Sequence, residues 1–166
     1  MPPSPESIKQ GTLMQTENSL ARVFMVEDNT LDVLLTETIM KRNRINIDFT
    51  VFRDGEECIN YFSDKKNIQN DSRPDLVLLD LNLPKVDGRE VLKFIKDNPD
   101  LRSVPVVILS GSSAQNDIDN TRDMGALTYL VKPLDVNSLE TITRLVDNLS
   151  LVEENAARYL IKTING

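Results

Sequence analysis

Short apolar runs alternate along this chain with longer stretches in which apolar positions recur every three or four residues. The runs fall at 23–26, 47–52, 76–79, 104–109 and 128–131, of which 47–52 is interrupted by Asp48 and Thr50. Each is too short for a helix, and most lack polar alternation, as in strands covered on both faces. The intervening stretches read as helices. Asn29 or Thr30 can cap one that carries Leu31, Leu34, Leu35, Thr38 and Ile39 at helical spacing. Asp54-Gly55 turns the chain into a second, with Cys58, Ile59 and Phe62 on one face. Pro84 and Asp87-Gly88 make turns before a third, marked by Val91, Leu92 and Ile95, which stops near Pro99. A polar helix over 116–124 and an amphipathic one over 136–149 complete the series. A fivefold alternation of strand and helix predicts an α/β fold with a doubly wound, five-stranded parallel sheet and helices on both faces, because each parallel crossover needs a helix-length connection.

The flanks differ from this pattern. Residues 1–20 are mostly polar, proline-containing and aperiodic, and are expected to form a flexible N-terminal arm. Residues 63–73 read as an exposed loop, and 150–166 as a helical tail that extends the last helix or forms a short one of its own.

Composition narrows the function classes. A chain of 166 residues suits one core better than two. No apolar run is long enough to span a bilayer and the N-terminus has no signal-peptide core, which points to the cytoplasm and away from membranes. Histidine is absent and Cys58 is the only cysteine. An internal disulfide, the usual zinc sites and Ser-His-Asp catalysis are therefore excluded. Cys58, on a helical face, reads as a buried core thiol. The formal net charge of −7 and the lack of a basic stripe argue against nucleic-acid binding.

The polar residues that terminate the strands carry the chemistry. Runs one, three, four and five end in Glu27-Asp28, Asp80, Ser110 and Lys132. Ligands of open α/β sheets bind outside the carboxyl ends of the strands, so these five side chains should meet in one crevice. Three carboxylates so close repel unless a cation lies between them, and an all-oxygen set suits Mg²⁺. Asp80 is then the candidate nucleophile for a phosphoryl group, Lys132 a point cation for its charge, and Ser110 a hydroxyl able to follow a phosphoryl oxygen. Each residue taken singly has a plainer reading. Asp28 could belong to a helix cap, Asp80 to a turn, and Lys132 to the surface. Their common register at the strand ends favours the crevice.

At these residues the sequence resembles the receiver domains of two-component response regulators. The resemblance covers about residues 21–149. It rests on Val26-Glu27-Asp28-Asn29, the run from Asp75 to Pro84, Asp87-Gly88, the run from Pro105 to Ser110, Gly125-Ala126, and Tyr129-Leu130-Val131-Lys132-Pro133-Leu134. It implies a flavodoxin-like fold with strand order 2-1-3-4-5. It also implies that Asp80 accepts a phosphoryl group from a sensor histidine kinase. The Mg²⁺ ligands would be Asp28 and Asp80, with Glu27 acting through water and Asn82 through its backbone carbonyl. Ser110 and Tyr129 would be the switch pair, and Lys132-Pro133 a cis peptide. Asp32-Val33, the loop 63–73 and the segment from Leu79 to Pro84 look most like the stand-alone, phytochrome-associated type. Gly111 departs from the pattern, standing where alanine is more usual after the switch serine.

The leading expectation is thus a single-domain response regulator whose phosphorylated form changes its protein-binding surface. A phosphorelay intermediate, handing the group to a histidine phosphotransfer protein, is the alternative. An aspartyl-nucleophile phosphohydrolase is disfavoured, because Asn82 stands where such enzymes place their general acid. A homodimer is also expected, from apolar positions Leu151-Val152 and Tyr159-Leu160 in the tail.

Overall fold

The computed structural model describes residues 18–69 and 72–163. Nine strands and five helices follow one another along it. They are β1 (Asn18–Leu20), β2 (Arg22–Val26), α1 (Thr30–Arg42), β3 (Ile45–Asn46), β4 (Asp48–Phe52), α2 (Gly55–Ser63), β5 (Leu76–Leu79), α3 (Gly88–Asp97), β6 (Val106–Ser110), α4 (Gln115–Asp123), β7 (Thr128–Val131), α5 (Val136–Leu145), β8 (Leu149–Glu154) and β9 (Ala157–Thr163). Within the expected loop, Lys65–Asn67 form a 3₁₀ turn and Ile68 is buried. Strands β4-β2-β5-β6-β7 make an all-parallel sheet, which is the expected order 2-1-3-4-5.

Period-two alternation sorts this sheet into two cores. Phe24, Val26, Val77, Leu79, Val106 and Ile108 face one side, against Cys58 and Phe62 of α2 and Val91, Leu92 and Ile95 of α3. Val23, Met25, Leu76, Leu78, Val107 and Leu109 face the other, against Met40 of α1 and Leu139 and Ile142 of α5. Both faces are covered, which is why these strands are continuously apolar. Cys58 lies in the first core with its thiol pushed up to about 12 by burial, as a packing residue should.

Two expectations are corrected. The helical tail is a β-hairpin, β8 with β9, and the last helix stops at Leu145. The arm's final residues, Asn18–Leu20, form β1 instead of continuing an unstructured segment; the rest of that arm lies outside the described residues. One edge of β9 pairs with β8, and the other is shared by β1 (antiparallel) and β3 (parallel). Ala21 and Ile47 separate β1 from β2 and β3 from β4, so two segments pass from this small sheet directly into the large one. Ala21 bridges the two, its N–H donating to the Leu160 carbonyl at 2.9 Å and its carbonyl accepting from Asp48 N–H at 3.0 Å. Leu160 is fully buried in the second core and Tyr159 is buried on the opposite face of β9. Those two positions are therefore consumed within the chain, whereas Leu151 and Val152 of β8 are only partly buried.

The burial of α1 also differs from its apparent face. Val33, Thr36 and Met40 are buried, whereas Leu31, Leu34 and Leu35 are exposed by 73, 55 and 45%. Thr36 can lie inside because its hydroxyl donates to the Asp32 carbonyl at 2.9 Å, one turn back.

Candidate functional site

Register brings the polar strand ends together. Val26 is level with Leu79, Leu79 with Ile108, and Ser110 with Val131. Glu27, Asp80, Ser110 and Lys132 therefore emerge within about two residues of one another along the strand axis, or ~7 Å. The backbone fastens each strand end to its neighbour. Asp80 N–H donates to the Val26 carbonyl at 3.1 Å, Glu27 N–H to Phe52 at 2.9 Å, and Lys132 N–H to Ser110 at 2.8 Å. The Lys132-Pro133 peptide is cis.

One oxygen each from Glu27, Asp28 and Asp80 lies within 4.8 Å of the others. Glu27 is fully buried, Asp80 is 6% exposed and Asp28 is exposed. The helix-capping reading of Asp28 falls away, because Asn29 is the cap, its Oδ1 accepting from Leu31 N–H at 2.9 Å and Asp32 N–H at 3.4 Å. Among the described residues nothing holds the Asp28 side chain, so its carboxylate is free for a ligand. Asp80 Oδ1 accepts from Asn82 N–H at 3.2 Å, and Asp80 Oδ2 from Lys132 Nζ at the same distance. Asp80 thus does use a turn hydrogen bond, but with only one of its oxygens.

Lys132 Nζ also bonds Glu27 Oε1 and, at 2.9 Å, Asp32 Oδ2. Burial pushes the Glu27 carboxyl up to about 8, the neighbouring Asp80 carboxylate adding to it and Lys132 opposing it. Burial alone would lower the Lys132 ammonium, but its bonds to Glu27 and Asp32 outweigh that and raise it. The same lysine holds Asp32 below the usual carboxylate range. Glu27 Oε2 is buried and has no hydrogen-bond partner among the described residues. An orphaned buried carboxylate oxygen beside two further carboxylates fits a hard divalent cation, and the absence of nitrogen or sulfur donors disfavours softer metals.

The two residues expected to form a switch pair are linked through Ser112. Ser110, 1% exposed, accepts from Ser112 N–H at 3.3 Å, and Tyr129 Oη donates to the Ser112 carbonyl at 2.6 Å. Two features escape a reading of spacing alone. Asp32 joins Lys132 from one hundred residues away; the sequence marked it only through the family likeness of Asp32-Val33, with no role for its carboxylate. Gly88 sits so close to the end of β5 that a Cβ there would lie 2.2 Å from the Asp80 carbonyl oxygen. Asp87-Gly88 is therefore a helix cap and a close backbone approach together.

Comparison with known proteins points the same way. Residues 23–144 match the model of the response regulator receiver domain. Response regulator Rcp1 of Synechocystis sp. is 35% identical over 129 residues, covering 78% of this chain and 88% of that protein. Its Mn²⁺-bound crystal structure aligns with a TM-score of 0.62 at 33% identity, over 80% of this chain and 99% of that one. The bacteriophytochrome response regulator AtBRR aligns with a TM-score of 0.69 at 34% identity, over 82% and 99%. The phosphorylated cyanobacterial phytochrome response regulator RcpA gives 0.62 at 38% identity, over 78% and 93%.

Proposed function

Because this chain belongs to the response regulator receiver domain family, we propose that Asp80 is its phosphoryl acceptor, a sensor histidine kinase the donor, and Mg²⁺ the ion at the acidic cluster. Phosphoacceptor signalling in a two-component system is the function of the family. The observation that carries the residue assignment is the setting of Asp80, almost buried, within 4.8 Å of two further carboxylates and with Lys132 Nζ at 3.2 Å from Oδ2.

The transfer follows from that setting. An Asp80 carboxylate oxygen attacks the phosphorus of a phosphoimidazole; the O–P bond forms as the N–P bond breaks, and the bonding pair leaves with the imidazole nitrogen. Lys132 holds a compact positive charge beside the attacking oxygen. Glu27, Asp28, Asp80 and Asn82 would hold Mg²⁺, which supplies neutralisation of the phosphoryl oxygens when bound. The product is stored instead of being turned over, since Asn82 offers no carboxylic acid two residues after the nucleophile. Ser110 is placed to follow a phosphoryl oxygen. Its movement would pull Ser112, whose carbonyl holds Tyr129, so the signal leaves the site through Tyr129 to a downstream protein. A cytoplasmic place of action, through protein contacts and without nucleic acid, accords with the charge of −7 and with the lack, among the described residues, of any helix long and apolar enough to cross a membrane.

The test is phosphate incorporation from a small acyl phosphate donor in Mg²⁺. The wild type is expected to gain about one acid-stable, base-labile phosphate per chain, and Asp80→Asn none. Equal labelling of the variant would remove Asp80 from the role.

A further inference from the structure

Lys132 occupies the place a metal must approach. Its ammonium bonds Glu27 and Asp80, two of the three carboxylates of the acidic cluster, with its side chain only 16% exposed. A divalent cation entering that cluster meets a positive charge already there, and the two repel. The lysine must yield both carboxylates, and an ammonium left unpaired in so enclosed a crevice would carry a large desolvation cost. Asp32 offers the alternative. Its Oδ2 lies 2.9 Å from Lys132 Nζ, yet Asp32 is not part of the cluster that gathers around a metal. Its backbone is fixed in the first turn of α1, with its N–H directed to the Asn29 cap and its carbonyl accepting from Thr36. It is the one carboxylate on Lys132 that a bound cation does not claim.

We propose that Asp32 is a positioning residue that receives the Lys132 ammonium when a divalent cation takes Glu27 and Asp80, and so lowers the cost of metal entry. The proposal rests on the metal reading given above. It assigns Asp32 no contact with phosphorus or metal. All its influence passes through Lys132, which makes it separable from a general effect of negative charge.

The experiment is calorimetric titration of the full chain with Mg²⁺ alone, repeated with Mn²⁺. Asp32→Asn is expected to weaken binding on the order of three- to tenfold, since it leaves the displaced lysine without a counter-ion. Asp32→Glu, which keeps the charge on a longer stem, should recover most of the loss. In a Lys132→Met background the Asp32→Asn change should have little effect, because no ammonium remains to be received. Equal weakening with and without Lys132 would mean that Asp32 attracts the metal directly, and would overturn the proposal. So would Asp32→Asn binding as tightly as wild type. Circular dichroism and a denaturation midpoint establish folding of each variant, and should Lys132→Met fail to fold, failure of Asp32→Glu to restore affinity overturns the proposal instead. A wild type that binds neither ion refutes the metal reading itself, a result distinguishable from unchanged binding in Asp32→Asn alone.

Discussion

Glu27 concentrates the electrostatic tension of the site: its carboxyl is fully buried, one oxygen faces Lys132 and the other has no partner among the described residues. Burial lifts it from the ordinary 4.5 to about 8. Between those values the folded, metal-free protein holds a proton that the unfolded chain has released, so its stability should fall as pH rises from about 4.5 to 8. A divalent ion competes with the same proton. Affinity for Mg²⁺ should therefore rise with pH, by up to about tenfold per unit, and level off above about 8. Titrations at pH 6, 7 and 8 check this, and Glu27→Gln should flatten the slope as well as weaken binding. A pH-independent affinity in the wild type would show that Glu27 does not lose a proton on binding. Asp80, Ser110 and Lys132 were legible in the sequence for a simple reason: each directly ends an apolar run, and the end of a run marks the end of a strand. Asp32 was not, since nothing local tells that a helix's first turn will meet a lysine one hundred residues on.

At the scale of elements, α1 leaves more large apolar side chains exposed than any other helix among the described residues. Leu31, Leu34 and Leu35 stand in solvent on the helix that also carries Asp32 to the site. An exposed apolar stripe beside a reactive centre suits docking of the protein that delivers the phosphoryl group. Leu34→Asp is expected to slow transfer from a partner kinase by tenfold or more, on the order of a lost interface anchor. Phosphorylation by a small acyl phosphate should be unchanged. Equal slowing of both reactions would place the defect in the site and not in docking. The sequence showed that α1 is a helix and where it is capped, but its periodicity pointed to the wrong face. Leu31, Leu34 and Leu35 form the more hydrophobic one. Packing selected Val33, Thr36 and Met40 instead, with Thr36 bonding within its own helix to enter the core.

Across the whole molecule, the small sheet closes the end of the large sheet opposite the acidic cluster, since its segments lead into the amino ends of β2 and β4. Leu160, fully buried, ties its central strand to the core shared with α5. Leu160→Ala should cost about 2–5 kcal/mol in urea denaturation, the usual range for a buried leucine. Metal binding by the folded protein should remain, given the distance between the two ends. A change below about 0.5 kcal/mol would show that the hairpin is an appendage and not part of the core. The hairpin escaped the sequence reading because its turn is disguised. Asn155 and Ala156 both adopt positive φ, 53° and 61°, a conformation that two-residue hairpin turns usually announce with glycine at the second place. The alternation of Leu149 with Leu151, and of Tyr159 with Ile161, was the remaining signal for strands.

The sequence by itself determined the parallel sheet, its strand order through family resemblance, and the acids, serine and lysine that meet at its carboxyl edge. These follow from contiguous runs, where local pattern and burial on both faces agree. Tertiary structure alone decided which side of α1 is buried, which carboxylates share Lys132, and that the chain's two flanks join in one further sheet. Those outcomes depend on pairings between segments as much as 145 residues apart, as between Asn18 and Thr163. Local hydrophobic periodicity reports that a segment has an apolar face; it carries no information about which distant surface that face will meet.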